Sequence, residues 1–207
     1  MGRGRGIGRR GSTPRVRVGQ LKTRRAEFSD HCDPAFVSYG GTTLYAKSQT
    51  LLDRAIKRLQ ETVLWACGEH LILPRTSLNK LVQEELAEEL DRSLVGAIVG
   101  RLLSLGELEA LPCLSVNSLP FNALVRADRV AELCEQIQRA EDLLRKNGTV
   151  SAREVQGLCF PNRDWGTYVA SLFMLNHLVY LGRAVFLDSE LFAWPKEVEN
   201  ALRKAVR

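Results

Sequence analysis

Residues 149–182 read TVSAREVQGLCFPNRDWGTYVASLFMLNHLVYLG, and their punctuation decides how the chain is parsed. Ser151-Ala152-Arg153-Glu154 has the form of a capping box, in which a serine receives the backbone N–H three residues on and a glutamate reaches back to the cap. It opens a helix with Val155 and Leu158 facing inward. After Pro161-Asn162 a second helix carries Val169, Leu172, Phe173, Leu175, Leu178 and Val179. That helix stops at Leu181-Gly182, where glycine can take the left-handed conformation of a C-terminal cap. Upstream, Val130, Leu133, Cys134, Ile137, Ala140 and Leu144 predict a helix from about Arg129 to Lys146, followed by a short extended piece at Thr149-Val150. Downstream, Ala184 to Leu187 and Glu190 to Trp194 flank Asp188-Ser189 as strand, turn, strand, and Pro195 opens a last helix to about Val206.

The same order occurs earlier in the chain. A helix is predicted from about Lys47 to Cys67, with Leu52, Ile56, Leu59, Val63 and Leu64 on one face and Arg54, Lys57, Arg58 and Glu61 on the other. Leu71-Ile72-Leu73 and Pro74 form a short apolar stretch, and Thr76 or Ser77 is a suitable cap for a second helix. A third starts near Asp91 and stops at Leu105-Gly106, with Leu108 to Leu111 as a strand ended by Pro112. Ser77 and Ser151 are 74 residues apart, and Leu105-Gly106 and Leu181-Gly182 are 76 apart, so the two copies differ by two residues of slack. Internal repetition of this kind predicts repeated modules.

Between about Lys47 and Trp194 the order resembles the winged helix-turn-helix superfamily: helix, short strand, capped helix, turn, helix ending in Leu-Gly, hairpin. The tandem arrangement is similar to the repeated winged helices of the selenocysteine elongation factor and to kleisin-binding subunits of condensin-like complexes. The resulting expectation is a mainly α chain with two three-helix modules, each bearing a small β-hairpin, at residues 47–120 and 121–207. A disordered basic arm at 1–30 and an irregular lead-in at 31–46 precede them.

Charge separates the arm from the rest. Residues 1–30 carry nine cationic side chains, Arg3, Arg5, Arg9, Arg10, Arg15, Arg17, Lys22, Arg24 and Arg25, against Glu27 and Asp30, a net +7. The remaining 20 basic and 22 acidic groups give −2. Arginines alternating with glycines can follow a phosphate backbone, with affinity that falls steeply as salt rises. Acidic proteins and membrane surfaces are further targets for such an arm.

The resemblance implies that the third helix of each module contacts DNA. In the second module Arg163, Thr167 and Tyr168 are the candidates. The first module's third helix is poorer, with Arg92, Ser93 and Arg101, while Gly96, Ala97 and Gly100 allow close approach of another element. The wings carry Glu107, Glu109, Asp188 and Glu190, which phosphate repels, and Glu84, Glu85, Glu88, Glu89 and Asp91 form an acidic patch. Two functions follow as expectations: a non-enzymatic nucleic-acid-binding protein, DNA before RNA, or a tandem winged-helix adaptor in a larger complex. Trp165 is either an interface anchor or core, and Trp65 and Trp194 are expected in the core.

No catalytic constellation, phosphate-binding loop or nucleophile elbow is present in the sequence. The five cysteines and three histidines include no close-spaced ligand pair; His31, Cys32, Cys67 and His70 have the right types for zinc but not the usual spacing. No metal or cofactor is expected. The cysteines read as buried thiols of a reducing compartment, cytoplasmic or nuclear, and no apolar run reaches the ~18 residues of a membrane helix.

Overall fold

The computed structural model describes residues 16–28, 33–39 and 41–198. The described residues are mainly helical and form three small sheets. A hairpin, β1 (Ala35–Tyr39) and β2 (Thr42–Ala46), leads into α1 (Gln49–Glu69), β3 (Leu73–Pro74), α2 (Arg75–Leu86), α3 (Arg92–Ser104), β4 (Leu108–Leu114) and β5 (Pro120–Arg126). The second half contains α4 (Val130–Asn147), β6 (Thr149–Ser151), α5 (Ala152–Cys159), α6 (Trp165–Tyr180), β7 (Val185–Phe186) and β8 (Leu191–Ala193).

Each half repeats one topology. The short strand after the first helix pairs with the last strand of the terminal hairpin, giving strand orders β3-β5-β4 and β6-β8-β7. The caps fall as the residues dictate. Ser151 and Glu154 form a full capping box, Asp91 caps α3, and Gly106 and Gly182 both sit at φ +69°, where a side chain would strain the backbone. α2 differs: its cap position is Pro74, two residues before Thr76 and three before Ser77, the expected caps, and makes no side-chain hydrogen bond.

Four further expectations are corrected. Residues 16–28, counted in the disordered arm, are packed on the first half. Val18 and Leu21 are buried in its core, Lys22 exchanges two backbone hydrogen bonds with Tyr45 (3.0 and 2.8 Å), and Arg58 donates to the Val16 carbonyl. Val18 and Leu21, with Val16 packed beside them, anchor the segment by apolar burial together with these hydrogen bonds. The lead-in contains the β1–β2 hairpin, paired up to Tyr39↔Thr42, with Gly41 at φ +86° beside the turn, a conformation suited to tight hairpins. β4 continues through Pro112, because it is an edge strand where a missing N–H interrupts no ladder. β5, the second strand of the first half's expected hairpin, lies past residue 120 and is followed by a 3-10 turn at Ala127–Arg129, so that hairpin runs beyond the expected 47–120.

β5 also explains how the halves join. Ala123, Leu124 and Val125 are consecutive and all buried. Leu124 belongs to the first core, with Leu73 and Leu108. Ala123 and Val125 point to the opposite side, into the second core with Ile72, Leu111, Cys113, Met174 and Phe192. The β3-β5-β4 sheet is therefore a shared layer covered by helices on both faces. Among the described residues no helix is long and apolar enough to cross a membrane.

Trp65, expected in the core, is 44% exposed, and Trp194 is half-buried with the Arg145 guanidinium 5.1 Å from its ring. Burial pushes the thiols of Cys67 and Cys113 up to about 12 and that of Cys159 up to about 11, whereas Cys134 is exposed. Only the thiolate is nucleophilic. Of these four cysteines, Cys134 alone is expected to alkylate at pH 8 in the native chain, with the other three following after denaturation; peptide mass spectrometry reads the sites. Native-state labelling of Cys67 or Cys113 as fast as Cys134 would contradict the packing.

Candidate binding cleft between the two halves

Helix α6, the sequence candidate for groove contact, is enclosed. The His177 imidazole nitrogen Nδ1 lies 2.6 Å from the Pro112 carbonyl of β4, Phe173 packs edge-on against Phe121 of β5 at 5.2 Å, and α4 and α5 cover further sides. The first half's hairpin thus occupies the space beside α6. Asn176, 8% exposed, has a side-chain oxygen with no hydrogen-bond partner among the described residues.

The three candidates on the second half have separate fates. Arg163 is exposed, and its guanidinium lies over Gly157, Nη2 being 3.0 Å from where a Cβ would stand. Thr167 is engaged locally: its hydroxyl lies 2.9 Å from the Asn162 carbonyl and accepts from Gln156 Nε2 at 2.8 Å. Tyr168 is 9% exposed. Burial, then the neighbouring Glu190 carboxylate, raise its phenol above the ordinary value. Only Arg163 is placed as a surface cation. In the N-terminal segment Lys22 pairs with Glu27 and Arg25 with Asp33, while Arg17 and Arg24 are exposed. Arg3, Arg5, Arg9, Arg10 and Arg15 lie outside the described residues, as do His31 and Cys32.

A different site emerges where the halves meet. Two clefts, of about 440 and 480 Å³, share His70, Trp165 and Gly166. One runs along α2 past Ile72, Pro74, Leu81 and Val169, with Lys80 and Glu84 at its edge. The other runs past Leu71, Phe160 and Ala170, with Arg129 and Glu132 at its edge.

Trp165 stands between them and is 76% exposed. It is the first residue of α6 because Asp164 caps that helix, accepting the Thr167 N–H at 2.8 Å. The same N–H holds the Asp164 carboxyl below the usual carboxylate range. Gly166 follows, and its missing side chain lets the His70 ring approach: a Cβ there would stand 3.1 Å from His70 Nδ1. Arg129 fixes the opposite wall, donating to the Gly68 carbonyl at the end of α1 and pairing with Glu132. A large aromatic on a rigid helix start, between apolar walls with a polar rim, suits the side chains of a polypeptide partner. Among the described residues no group of three or more His, Cys, Asp or Glu is placed to hold a metal ion.

The cleft could not be read from the sequence because its walls come from α1, β3, α2 and α6, which only the shared sheet brings together. The one local signal was Trp165 itself, set between a capping aspartate and a glycine.

No protein-family model and no curated protein matches the chain. Among solved structures it is similar to the Methanosarcina barkeri Roco2 RocCORdC fragment bound to GDP, at 14% identity and a TM-score of 0.38. The alignment covers 72% of this chain and 49% of that one, so this chain spans about half its length. A likeness at that score establishes neither fold nor function.

Replacing Trp165 by Phe is expected to lower acrylamide quenching of the tryptophan fluorescence markedly while changing unfolding free energy by no more than about 0.5 kcal/mol, as for an exposed side chain. Unchanged quenching, or a large loss of stability, would place Trp165 inside the fold.

Proposed function

We propose that the chain is a non-enzymatic adaptor made of two winged-helix-like modules, with a protein partner docking on the seam around Trp165. The repeated strand orders β3-β5-β4 and β6-β8-β7 support the winged-helix assignment, each following the helix, strand, helix, helix, hairpin sequence of that fold. The observation that carries the adaptor role is the packing of α6 beneath β4 and β5. Beyond its ends at Trp165 and Tyr180, α6 has no exposed residue to lay in a DNA groove, as a recognition helix requires. Acidic groups on both hairpins, Glu109 and Glu190, also repel phosphate.

The nucleic-acid reading is retained for the arm alone. Residues 1–15 carry Arg3, Arg5, Arg9, Arg10 and Arg15 and no acid, a composition that gives salt-dependent, sequence-independent contact with phosphates. On this account the adaptor operates near a polyanion to which the arm tethers it, in the cytoplasm or nucleus.

Affinity capture with the full chain, its Trp165→Ser variant and residues 16–207 separates the two roles. A partner bound by the full chain and by residues 16–207, resistant to nuclease, and lost in Trp165→Ser is the expected result. Capture that disappears with nuclease or with removal of residues 1–15, and is indifferent to Trp165→Ser, would leave nucleic-acid binding as the function.

A further inference from the structure

A second groove lies on the other side of the first turn of α2, between α2 and α3, with a volume of about 470 Å³. Val95 and Val99 form its floor beside Gly96, and Arg75 and Arg92, the first residues of the two helices, stand at its mouth. Both arginines are exposed, and neither makes an ion pair or hydrogen bond among the described residues. The nearest acid in sequence, Asp91, is engaged by the Ser93 N–H at 2.9 Å and lies close to Arg24. The mouth is therefore cationic on a body whose charge outside the first 30 residues is −2.

Two features say what chemistry fits there. A Cβ built on Gly96 or Gly100 meets nothing within 4 Å, so the backbone of α3 is open to another chain along this face. The groove floor is apolar at Val95 and Val99, which suits the aliphatic side chains of a polypeptide better than a phosphodiester backbone. Two separate arginines suit discrete carboxylates, which guanidinium groups bind in a forked geometry.

We propose that the α2–α3 groove is a docking site for an acidic segment of a partner protein. The carboxylates of that segment pair with Arg75 and Arg92, and its backbone lies over Gly96. This surface goes beyond the seam around Trp165 and stands or falls separately from it.

The test uses the full chain and three labelled probes in fluorescence anisotropy: a Glu-rich peptide with interspersed leucines, the same peptide with Lys for Glu, and a DNA duplex. Because the basic arm also attracts anions, the variants must address the groove. Arg75→Glu with Arg92→Glu reverses the mouth. Gly96→Leu fills the groove without altering charge, at a helical position with free space. The expected result is binding of the Glu-rich peptide over the Lys peptide, weakened at least about tenfold, or about 1.4 kcal/mol, by each variant, with melting temperatures at or above wild type for Gly96→Leu. Peptide binding unaffected by Gly96→Leu would assign it to the arm and overturn the proposal. Tighter binding of DNA than of peptide through Arg75 and Arg92 would overturn it in favour of nucleic acid. Partner capture lost in Trp165→Ser, together with groove variants that have no effect, would keep the seam and reject the groove.

Discussion

Three consecutive residues, Ala123, Leu124 and Val125, hold the molecule together by facing both ways. Leu124 closes the core under α1 and α3, and its neighbours on either side close the core around α6. A fully buried Val or Leu contributes on the order of 1.5–3 kcal/mol, and the Ala methyl less. The more important effect is geometric: a strand covered on both faces cannot be peeled from one core without exposing the other. Much else follows from this layer. It brings β4 against α6, sets His70 beside Gly166, and places the ends of α1 and α6 close enough to form a cleft.

That arrangement decides which surfaces the two halves leave open. In the second half the third helix, α6, is covered by the first half's hairpin. Trp165 projects at the boundary between the halves, from a helix start held by Asp164. In the first half α3 keeps an uncovered side at Gly96 and Gly100. The charge balance fits this division, with cations concentrated before residue 30 and acids on the hairpins and on α2.

The helices were legible because their signals are local. Ser48, Asp91, Ser151 and Asp164 cap their helices through contacts within three residues, and Gly106 and Gly182 end two of them with positive φ. The β1–β2 hairpin was also locally written, in Gly40-Gly41 between β-branched and aromatic residues, but a composition read as irregular concealed it. β5 was not legible in the same way. A strand buried on both faces loses the alternation that marks a half-buried one, and Pro112 in its partner reads as a stop unless the strand is known to be at an edge. The seam cleft depends on β5 and was hidden with it. Tyr168 shows the reverse error: an aromatic beside an arginine reads as a surface contact, yet here it packs beneath Arg153 and beside Glu190.

Native-state hydrogen exchange measured residue by residue tests the shared layer most directly. If β5 joins both cores, the amides of α1, of Ala123 to Val125 and of α6 exchange through one opening reaction with a common free energy and a common denaturant dependence. Exchange of α6 through a separate, lower-energy opening, while α1 and β5 stay protected, would contradict the account, because it would leave the second half free to present that helix on its own.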